Sequence, residues 1–157
     1  MTTRSVTHAS FTLERNYPAS PARVFAAWSD LRAKARWFAG PDEWENSEFA
    51  LDFRVGGLEM SSGGPSGGPI HRFEARYQEI VPNERIIYTY DMSVDNVRLS
   101  ISLATVEFKP EGDGTRLVLT EQGAFLDGHD APSERERGTV ELLEALNAEL
   151  MRVIAEA

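Results

Sequence analysis

Apolar and polar residues alternate in seven short stretches of the chain, and this period of two is typical of strands with one buried face. The first strand is predicted from Phe11 to Asn16, just before Tyr17-Pro18. The other strands are predicted at residues 49–53, 58–60, 70–81, 86–92, 97–108 and 117–122. Turns rich in Gly, Asn, Asp or Pro separate most of these stretches, which predicts an antiparallel sheet.

Two short helices are predicted directly after the first strand. Ser20-Pro21 combines an N-cap residue with a proline at the first helical position, and three apolar residues follow at helical spacing. Asp30 is expected to cap a second helix, which runs to about Phe38 and ends at Gly40-Pro41. The pattern therefore predicts one strand, two short helices and then six strands.

A long helix is predicted at the C-terminal end of the chain. Ser133 and Glu136 have the spacing of a capping box, which predicts a helix start there. Its apolar stripe consists of Thr139, Leu142, Leu143, Leu146, Leu150, Val153 and Ile154. Its solvent face is expected to hold Arg137, Glu141, Glu144 and Glu149. At about 1.5 Å per residue, this helix is long enough to cross the sheet.

Three segments are predicted to depart from regular strands. Between residues 97 and 108 the apolar residues change from odd to even positions, which predicts a β-bulge near Ala104-Thr105. Residues 61–69 read S-S-G-G-P-S-G-G-P and are expected to form a mobile turn. Residues 123–132 are expected to be loop.

Composition narrows the classes of function. The absence of cysteine excludes disulfides, thiol nucleophiles and Cys-ligated zinc. Twenty-five Asp and Glu against sixteen Lys and Arg give a net charge of −9, which argues against nucleic acid or an anionic membrane as a partner. No apolar segment approaches the roughly 20 residues of a membrane span, and residues 1–8 resemble no signal peptide. We therefore expect a cytoplasmic protein with one domain over residues 1–157, in which residues 1–9 form a flexible arm.

Several stretches together resemble one known family. Residues 18–30, P-A-S-P-A-R-V-F-A-A-W-S-D, resemble its opening strand-to-helix signature, and Arg36-Trp37-Phe38 resembles the aromatic pair that closes its second helix. Residues 55–57 resemble its glycine bend, residues 77–86 its central strand-turn-strand, and residues 106–121 its last hairpin. These features are similar to those of the activator of the ninety-kilodalton heat-shock chaperone ATPase (AHSA-type). That family lies within the SRPBCC superfamily of birch-pollen-allergen-like and START-like proteins.

The resemblance covers residues 10–155 and implies an α+β helix-grip fold. In this fold a curved seven-stranded antiparallel sheet wraps around a long C-terminal helix, with two short helices after the first strand. The sheet and the helix enclose a cavity in such proteins. Relatives include ligand carriers, polyketide cyclases and co-chaperones, so the fold alone does not determine the function.

Strand parity within this fold selects the candidate ligand-binding residues. The inward side chains are expected to be Phe53, Met60, His71, Phe73, Tyr77, Tyr88, Tyr90, Leu117 and Leu119. Trp37 and Phe38 are expected to close one end of the cavity, and Leu142, Leu146 and Leu150 its helix side. Such an aromatic lining suits a flat apolar ligand of moderate size. The alternative is that these side chains fill the core.

Titratable residues offer weaker candidates for chemistry. Glu79 and Glu121 share the inward parity of His71, and a buried carboxylate with a raised pKa near a Tyr or His supports general acid–base catalysis. The alternative is that these groups reach solvent at strand ends. His8 and His129 are expected at the surface. The sequence has no metal-ligand spacing, nucleophile elbow or phosphate loop, so we assign no metal, cofactor or catalytic residue.

Two hypotheses of different kinds follow. The first is a protein that binds a small apolar or aromatic molecule, with cyclase- or hydrolase-like chemistry as a less favoured extension.

The second hypothesis is an interaction module for a chaperone or another protein, in keeping with a stress-response role. It is favoured by the charge split, since residues 1–40 carry six basic and two acidic residues (+4) and the remainder carries −13. An open cavity supports the first hypothesis, and a filled core with an exposed apolar surface supports the second. A monomer and a homodimer are both compatible with the sequence.

Overall fold

The computed structural model describes residues 3–38 and 44–156 of the chain. The elements are β1 (Val6–Tyr17), α1 (Pro21–Ser29), α2 (Leu31–Trp37), β2 (Glu45–Leu51), β3 (Leu58–Gly64), β4 (His71–Val81), β5 (Arg85–Val94), β6 (Val97–Glu111), β7 (Gly114–Leu126) and α3 (Pro132–Glu156). The predicted order of strands and helices is therefore confirmed. The predicted stop signal at Gly40-Pro41 lies outside the described residues.

The strands form one curved sheet of seven, in the order β1-β7-β6-β5-β4-β3-β2. Every pair of neighbours is antiparallel. Strand β1, the first in the chain, pairs with β7, the last. The paired residues run from Val6 with Leu126 to Tyr17 with Thr115. The α+β helix-grip fold expected from the sequence is confirmed.

Helix α3 packs against the concave face of this sheet. Its residues Leu143, Leu146 and Leu150 are 1%, 0% and 3% exposed and belong to the core shared with the strands. The hydroxyl of Tyr17, at the end of β1, donates a 2.9 Å hydrogen bond to the carbonyl of Leu143. No helix among residues 3–38 and 44–156 is long and apolar enough to cross a membrane.

The two short helices begin as their sequences predict. The side chain of Ser20 accepts a hydrogen bond from the Arg23 amide, and Pro21 is the first helical residue. Asp30 ends α1 and caps α2, because its carboxylate accepts from the Ala33 amide at 2.9 Å. This shared residue fixes the angle between the helices and brings Trp37 onto Trp28, with ring centroids 4.8 Å apart.

Side-chain size along β6 determines where the sheet and the helices can meet closely. Its inward residues at one end, Val106 and Phe108, are large, and Phe108 packs edge-to-face on Phe25 of α1 at 5.5 Å. At the other end the inward residues are Ser100 and Ser102, which are 0% and 3% exposed. Small side chains leave space above the sheet at this end.

The predicted bulge near Ala104-Thr105 is wrong. The ladder between β6 and β7 runs without interruption from Ser100 to Glu111, and the buried residues of β6 are at even positions throughout. The apolar residues at the odd positions lie on the outer face, where Ile101 is 45% exposed. Register shifts lie instead between Met92 and Ser93, between Tyr77 and Glu79, and within β2.

Several element ends also differ from the sequence-based expectation. Strand β1 begins at Val6, so residues 6–9 of the expected arm pair with β7. Strand β3 continues to Gly64, into the segment predicted as a turn. Here glycine is required by close packing, since a Cβ on Gly64 would clash with the Pro69 carbonyl oxygen. Strand β7 extends to Leu126, which shortens the loop predicted over residues 123–132.

Helix α3 differs from its prediction at both ends. It begins at Pro132, and the Arg135 amide donates to the Ala131 carbonyl, so Ser133 lies inside the first turn instead of at the cap. Toward the C-terminal end, Val153 and Ile154 are 38% and 37% exposed although they belong to the apolar stripe. Glu149, predicted to face solvent, is 6% exposed because Arg36 and Arg152 both bind its carboxylate, at 2.8 and 2.9 Å.

Candidate functional site

A cavity of about 660 Å³ lies between the sheet and α3. It occupies the end of the sheet where the inward residues of β6 are serines. Helix α3 contributes Glu134, Arg135, Gly138, Thr139, Leu142 and Leu143 to its lining. A Cβ built on Gly138 meets no atom within 4 Å, so the helix leaves open space at this point.

One wall of the cavity is a continuous series of aromatic rings. Trp37 packs on Phe38 with ring centroids 5.5 Å apart, and Phe38 packs on Phe73 at 5.0 Å. Phe73 contacts Tyr90 at 4.8 Å, and Tyr90 lies 6.0 Å from Tyr88. These rings come from the C-terminal end of α2 and from β4 and β5, and all five residues line the cavity. Edge-to-face contacts at Phe38 and tilted contacts at Tyr90 restrict the rings and give the wall a defined shape.

The structure divides the predicted ligand-binding residues into two groups. Those that line the cavity are Trp37, Phe38, His71, Phe73, Tyr88, Tyr90, Leu119 and Leu142. Those that are not part of the lining are Phe53, Met60, Tyr77, Leu117 and Leu146. Tyr77, Leu117 and Leu146 are at most 1% exposed and lie within the packed core. The ring of Tyr77 contacts that of Tyr88, which lies in the cavity wall, with centroids 5.9 Å apart.

Phe53 and Met60 lie outside the lining for different reasons. Phe53 packs edge-to-face on Phe25 and Tyr77, at 5.6 and 4.9 Å. Met60 follows Glu59, which is 1% exposed and points into the core, so alternation along β3 directs Met60 to the opposite face. The apolar residues Leu58 and Met60 predict the wrong inward face for β3, because the buried side chain at this end of the strand is the Glu59 carboxylate.

The cavity also has a polar wall, which joins strands β5 and β7 to α3. The Tyr90 hydroxyl donates a 2.7 Å hydrogen bond to Oε2 of Glu121. Nη1 of Arg135 donates to the same hydroxyl at 3.1 Å and lies 3.6 Å from Glu121 Oε2. Arg135 is 9% exposed and Glu121 is 4% exposed. A guanidinium, a phenol and a carboxyl therefore meet at the cavity surface.

Arg135 is held by further acceptors at the start of α3. Nη2 donates to Ser100 Oγ at 2.7 Å and to Asp130 Oδ2 at 3.0 Å, and Nη1 also approaches Ser102 Oγ at 3.4 Å. The two serines are the small inward residues of β6. They thus leave room for the guanidinium and bind it at the edge of the cavity.

Burial changes the acidity of this wall. It raises the pKa of the Glu121 carboxyl above the ordinary value of 4.5, although Tyr90, Arg135 and Ser102 offset part of that effect. Burial, with the neighbouring Glu121 charge, also raises the pKa of the Tyr90 hydroxyl. The phenol therefore remains a proton donor across the physiological range. Sequence parity indicated Glu121 as a candidate, but it gave no sign of Arg135.

A second buried polar cluster lies next to the cavity, behind the aromatic wall. Nζ of Lys34 on α2 forms a 2.6 Å ion pair with Glu59 of β3, and the Tyr77 hydroxyl donates to the same carboxylate. Lys34 also lies over the Phe38 ring, 4.6 Å from its centroid. Burial lowers the pKa of Lys34, and the Glu59 charge opposes that shift. This cluster ties α2 to the sheet and so positions Phe38.

The opposite end of the cavity is formed by Trp44 and His71. Their rings are stacked, with centroids 4.7 Å apart and an angle of 21° between their planes. Both residues line the cavity and are half-buried. Trp44 is not among the candidate residues selected from the sequence, because hydrophobic periodicity does not assign a position to an isolated aromatic residue before an edge strand.

The remaining titratable candidates lie elsewhere. Glu79 forms a surface ion pair with Arg85 at 2.8 Å, because the register shift after Tyr77 reverses its direction. His8 and His129 are exposed, as expected. Within the described part of the chain, no three His, Cys, Asp or Glu side chains are grouped closely enough to hold a metal ion.

The fold and the cavity define a helix-grip protein, and comparison with known proteins identifies its family. The sequence profile described as "Activator of Hsp90 ATPase homolog 1-like protein" matches residues 18–151, and the chain belongs to that family. No curated protein matches the chain.

Solved structures include close relatives. A protein from Rhizobium loti is 52% identical, with a TM-score of 0.87, over 92% of this chain and 99% of that one. A protein from Rhizobium leguminosarum is 45% identical, with a TM-score of 0.91, over 96% of this chain and 99% of that one. An AHSA1-like protein from Aeromonas hydrophila, 18% identical with a TM-score of 0.68 over 92% of this chain and 94% of that one, shares the fold.

Proposed function

We propose that this protein binds a small, largely apolar molecule with an aromatic ring system in the cavity between the sheet and α3. The observation that carries this proposal is the cavity of about 660 Å³ beside a wall of aromatic rings. Small-molecule sites typically measure about 300–1,000 Å³ and combine apolar walls with a few polar groups. The volume and the lining of this cavity fall within that class.

The aromatic wall supplies the main affinity in this proposal. A flat ligand against Phe38, Phe73 and Tyr90 releases water from apolar surface, which is favourable in proportion to the area covered. The rings are already held by one another and by the Lys34–Glu59 pair, so little side-chain order has to be created on binding. The site is built on strands and helices, which supports a preformed pocket.

Isothermal titration calorimetry with 2-naphthylmethanol, a neutral two-ring probe, tests this proposal. We expect saturable binding with a stoichiometry of one. In Gly138→Phe the new ring enters the open space beside the helix and should weaken binding by at least roughly tenfold, because it removes volume that the probe needs. The matched control is Ala148→Phe, which places the same ring on the exposed face of α3. Absence of binding to the unmodified protein would contradict the proposal, as would equal binding by Gly138→Phe and Ala148→Phe.

A protein-interaction role is the second candidate, and the outer face of the sheet favours it. Leu58 and Ile101 are 44% and 45% exposed and border a shallow hollow of about 350 Å³. Membership of a family named for activation of the Hsp90 ATPase supports the same role. The test is the ATPase rate of purified Hsp90 with added protein, and a double variant with Leu58→Asp and Ile101→Asp should lose any stimulation. An unchanged ATPase rate with the unmodified protein would contradict this candidate.

A further inference from the structure

The charged side chains that line the cavity include more acidic than basic groups. Four carboxylates line it, from Glu48, Glu121, Asp130 and Glu134, against the two guanidinium groups of Arg72 and Arg135. Glu48, Arg72 and Glu134 are exposed to solvent, which screens them. At the polar wall itself, Glu121 and Asp130 face a single guanidinium. A ligand group at this wall therefore meets more negative than positive charge.

Arg135 has little capacity left for an anionic ligand. Its two terminal nitrogens carry four hydrogens, and four side chains accept from them: Tyr90, Ser102, Ser100 and Asp130. A ligand carboxylate would have to displace one of these acceptors and would lie close to Glu121. Repulsion between like charges in a poorly hydrated site makes that arrangement unfavourable.

Glu121, in contrast, retains capacity to accept hydrogen bonds. A carboxylate offers about four lone-pair sites. The Tyr90 hydroxyl uses one site on Oε2, Arg135 lies 3.6 Å from the same oxygen, and Ser102 is a further neighbour that lowers the pKa of the carboxyl. The carboxyl lines the cavity although the residue is only 4% exposed. A donor group on a bound ligand can therefore reach a carboxyl group that bulk water hardly contacts.

The neighbouring rings favour a positively charged donor over a neutral one. Phe73 and Tyr90 pack with centroids 4.8 Å apart and both line the cavity beside Glu121. The faces of such rings attract cations within about 6 Å of the ring centroid. The Arg135 guanidinium already lies over the Tyr90 ring, 5.5 Å from its centroid, so a ligand cation at this wall would interact with the Glu121 carboxylate and the Phe73 ring.

We infer that the polar wall of the cavity binds the protonated amine of its ligand, with Glu121 as the counter-ion and Tyr90 as the group that orients the carboxylate. The ligand class is an aromatic or otherwise apolar amine, with the ring system against Phe38 and Phe73 and the amine at Glu121. This inference rests on the proposed ligand-binding function. Arg135 lies 3.6 Å from Glu121 and also pairs with Asp130, so one guanidinium faces two carboxyl groups and a ligand cation adds the second positive charge.

Three probes with the same ring system test the inference by calorimetry: 2-naphthylmethylamine, 2-naphthylmethanol and 2-naphthoate. We expect the amine to bind at least roughly tenfold more tightly than the alcohol, because it pairs with the Glu121 charge. The carboxylate should bind most weakly, because the same charge repels it. In Glu121→Gln the ratio of amine affinity to alcohol affinity should fall to about one. A cooperative thermal unfolding transition of the variant, measured separately, shows that it is folded. Glu144→Gln, a matched change on the exposed face of α3, should retain the preference.

The outcomes separate this inference from the function on which it rests. Equal binding of all three probes would overturn the amine assignment and leave the cavity function standing. Tightest binding of 2-naphthoate would also overturn it and would indicate Arg135 as the anchor. An amine preference that survives in Glu121→Gln would overturn the role of Glu121. If none of the probes binds, the proposed function fails and the inference fails with it.

Discussion

Tyr90 on β5 donates a hydrogen bond of 2.7 Å to Glu121 on β7, across the intervening strand β6. The contact is possible because the inward side chains of β6 at this level, Ser102 and Ala104, are small. Arg135 of α3 reaches the same place and donates to Tyr90 and Ser102. The small side chains of β6 therefore allow the polar wall to form.

The acidity of Glu121 predicts an unusual pH dependence of stability. The pKa of Glu121 is raised on folding, so above pH 4.5 the folded state retains a proton that the unfolded state has released. The free energy of unfolding therefore falls as pH rises above 4.5. The groups that face it are Tyr90 from β5, Arg135 from α3 and Asp130 through Arg135. Urea denaturation across this range should show that the unmodified protein loses stability relative to Glu121→Gln as pH rises. A difference that is constant with pH would contradict the raised pKa.

Glu149 should affect the pH dependence of stability in the opposite direction. Hydrogen bonds from Arg152 and Arg36 lower the pKa of its carboxyl from 4.5 to about 2. Its contribution is therefore present above pH 4.5 and is lost as pH falls toward 2. We expect Glu149→Gln to lower the free energy of unfolding by about 1–3 kcal/mol at pH 7, as for charged hydrogen bonds at buried sites.

The matched control for Glu149 is Glu134→Gln on the same helix. Glu134 pairs with Arg137 at the surface, where both side chains are more than half exposed. Surface pairs contribute about 0–1 kcal/mol. Equal losses in the two variants, measured by denaturation at pH 7, would show that Glu149 does not link α2 to α3 as the structure indicates.

Leu146 should be the most sensitive apolar position of α3. It is 0% exposed where the helix crosses the sheet, so Leu146→Ala leaves a cavity and should cost about 2–5 kcal/mol. Val153→Ala, at a position 38% exposed on the same helix, should cost less than about 0.5 kcal/mol. Chemical denaturation of both variants measures the difference. Similar costs would contradict the packing of α3 described above.

Gly138 is expected to be a site of easy stabilisation. It lies within α3, and nothing lies within 4 Å of an added Cβ, so Gly138→Ala should gain about 0.5–1 kcal/mol from helix propensity. Gly112 also has open space around a Cβ, but its φ of +59° disfavours any side chain, and Gly112→Ala should destabilise. Thermal denaturation of the pair distinguishes the two cases. A loss of stability in Gly138→Ala would mean that the space beside the helix is smaller than observed.

The strands β4 and β5 were predicted correctly because their aromatic residues alternate with polar ones and face inward. The same rule failed on β6, where Leu99, Ile101 and Leu103 face outward and the inward residues at the cavity are serines. Periodicity assumes that the more apolar face is buried. Where a sheet lines a cavity with a polar wall, the buried face carries hydroxyls, and the assumption no longer holds.

Hydrophobic periodicity does not predict the buried charged residues, for a different reason. Lys34 and Arg135 lie on helices, where a charged residue is expected to face solvent. Their partners Glu59 and Tyr90 are 25 and 45 residues away in the sequence. Only the folded chain brings each pair together, so a single sequence gives no sign of either. Glu121 was accessible to prediction because its parity along β7 matches that of Leu117 and Leu119.

The central claim is that a ligand lies between the sheet and α3, and nuclear Overhauser contacts from bound 2-naphthylmethanol test it most directly. We predict contacts from the naphthyl protons to the methyl groups of Leu119 and Leu142, which line the cavity from β7 and α3. Leu58 and Ile101, on the outer face of the sheet, serve as the comparison. Contacts to Leu58 and Ile101 without contacts to Leu119 and Leu142 would contradict ligand binding between the sheet and α3.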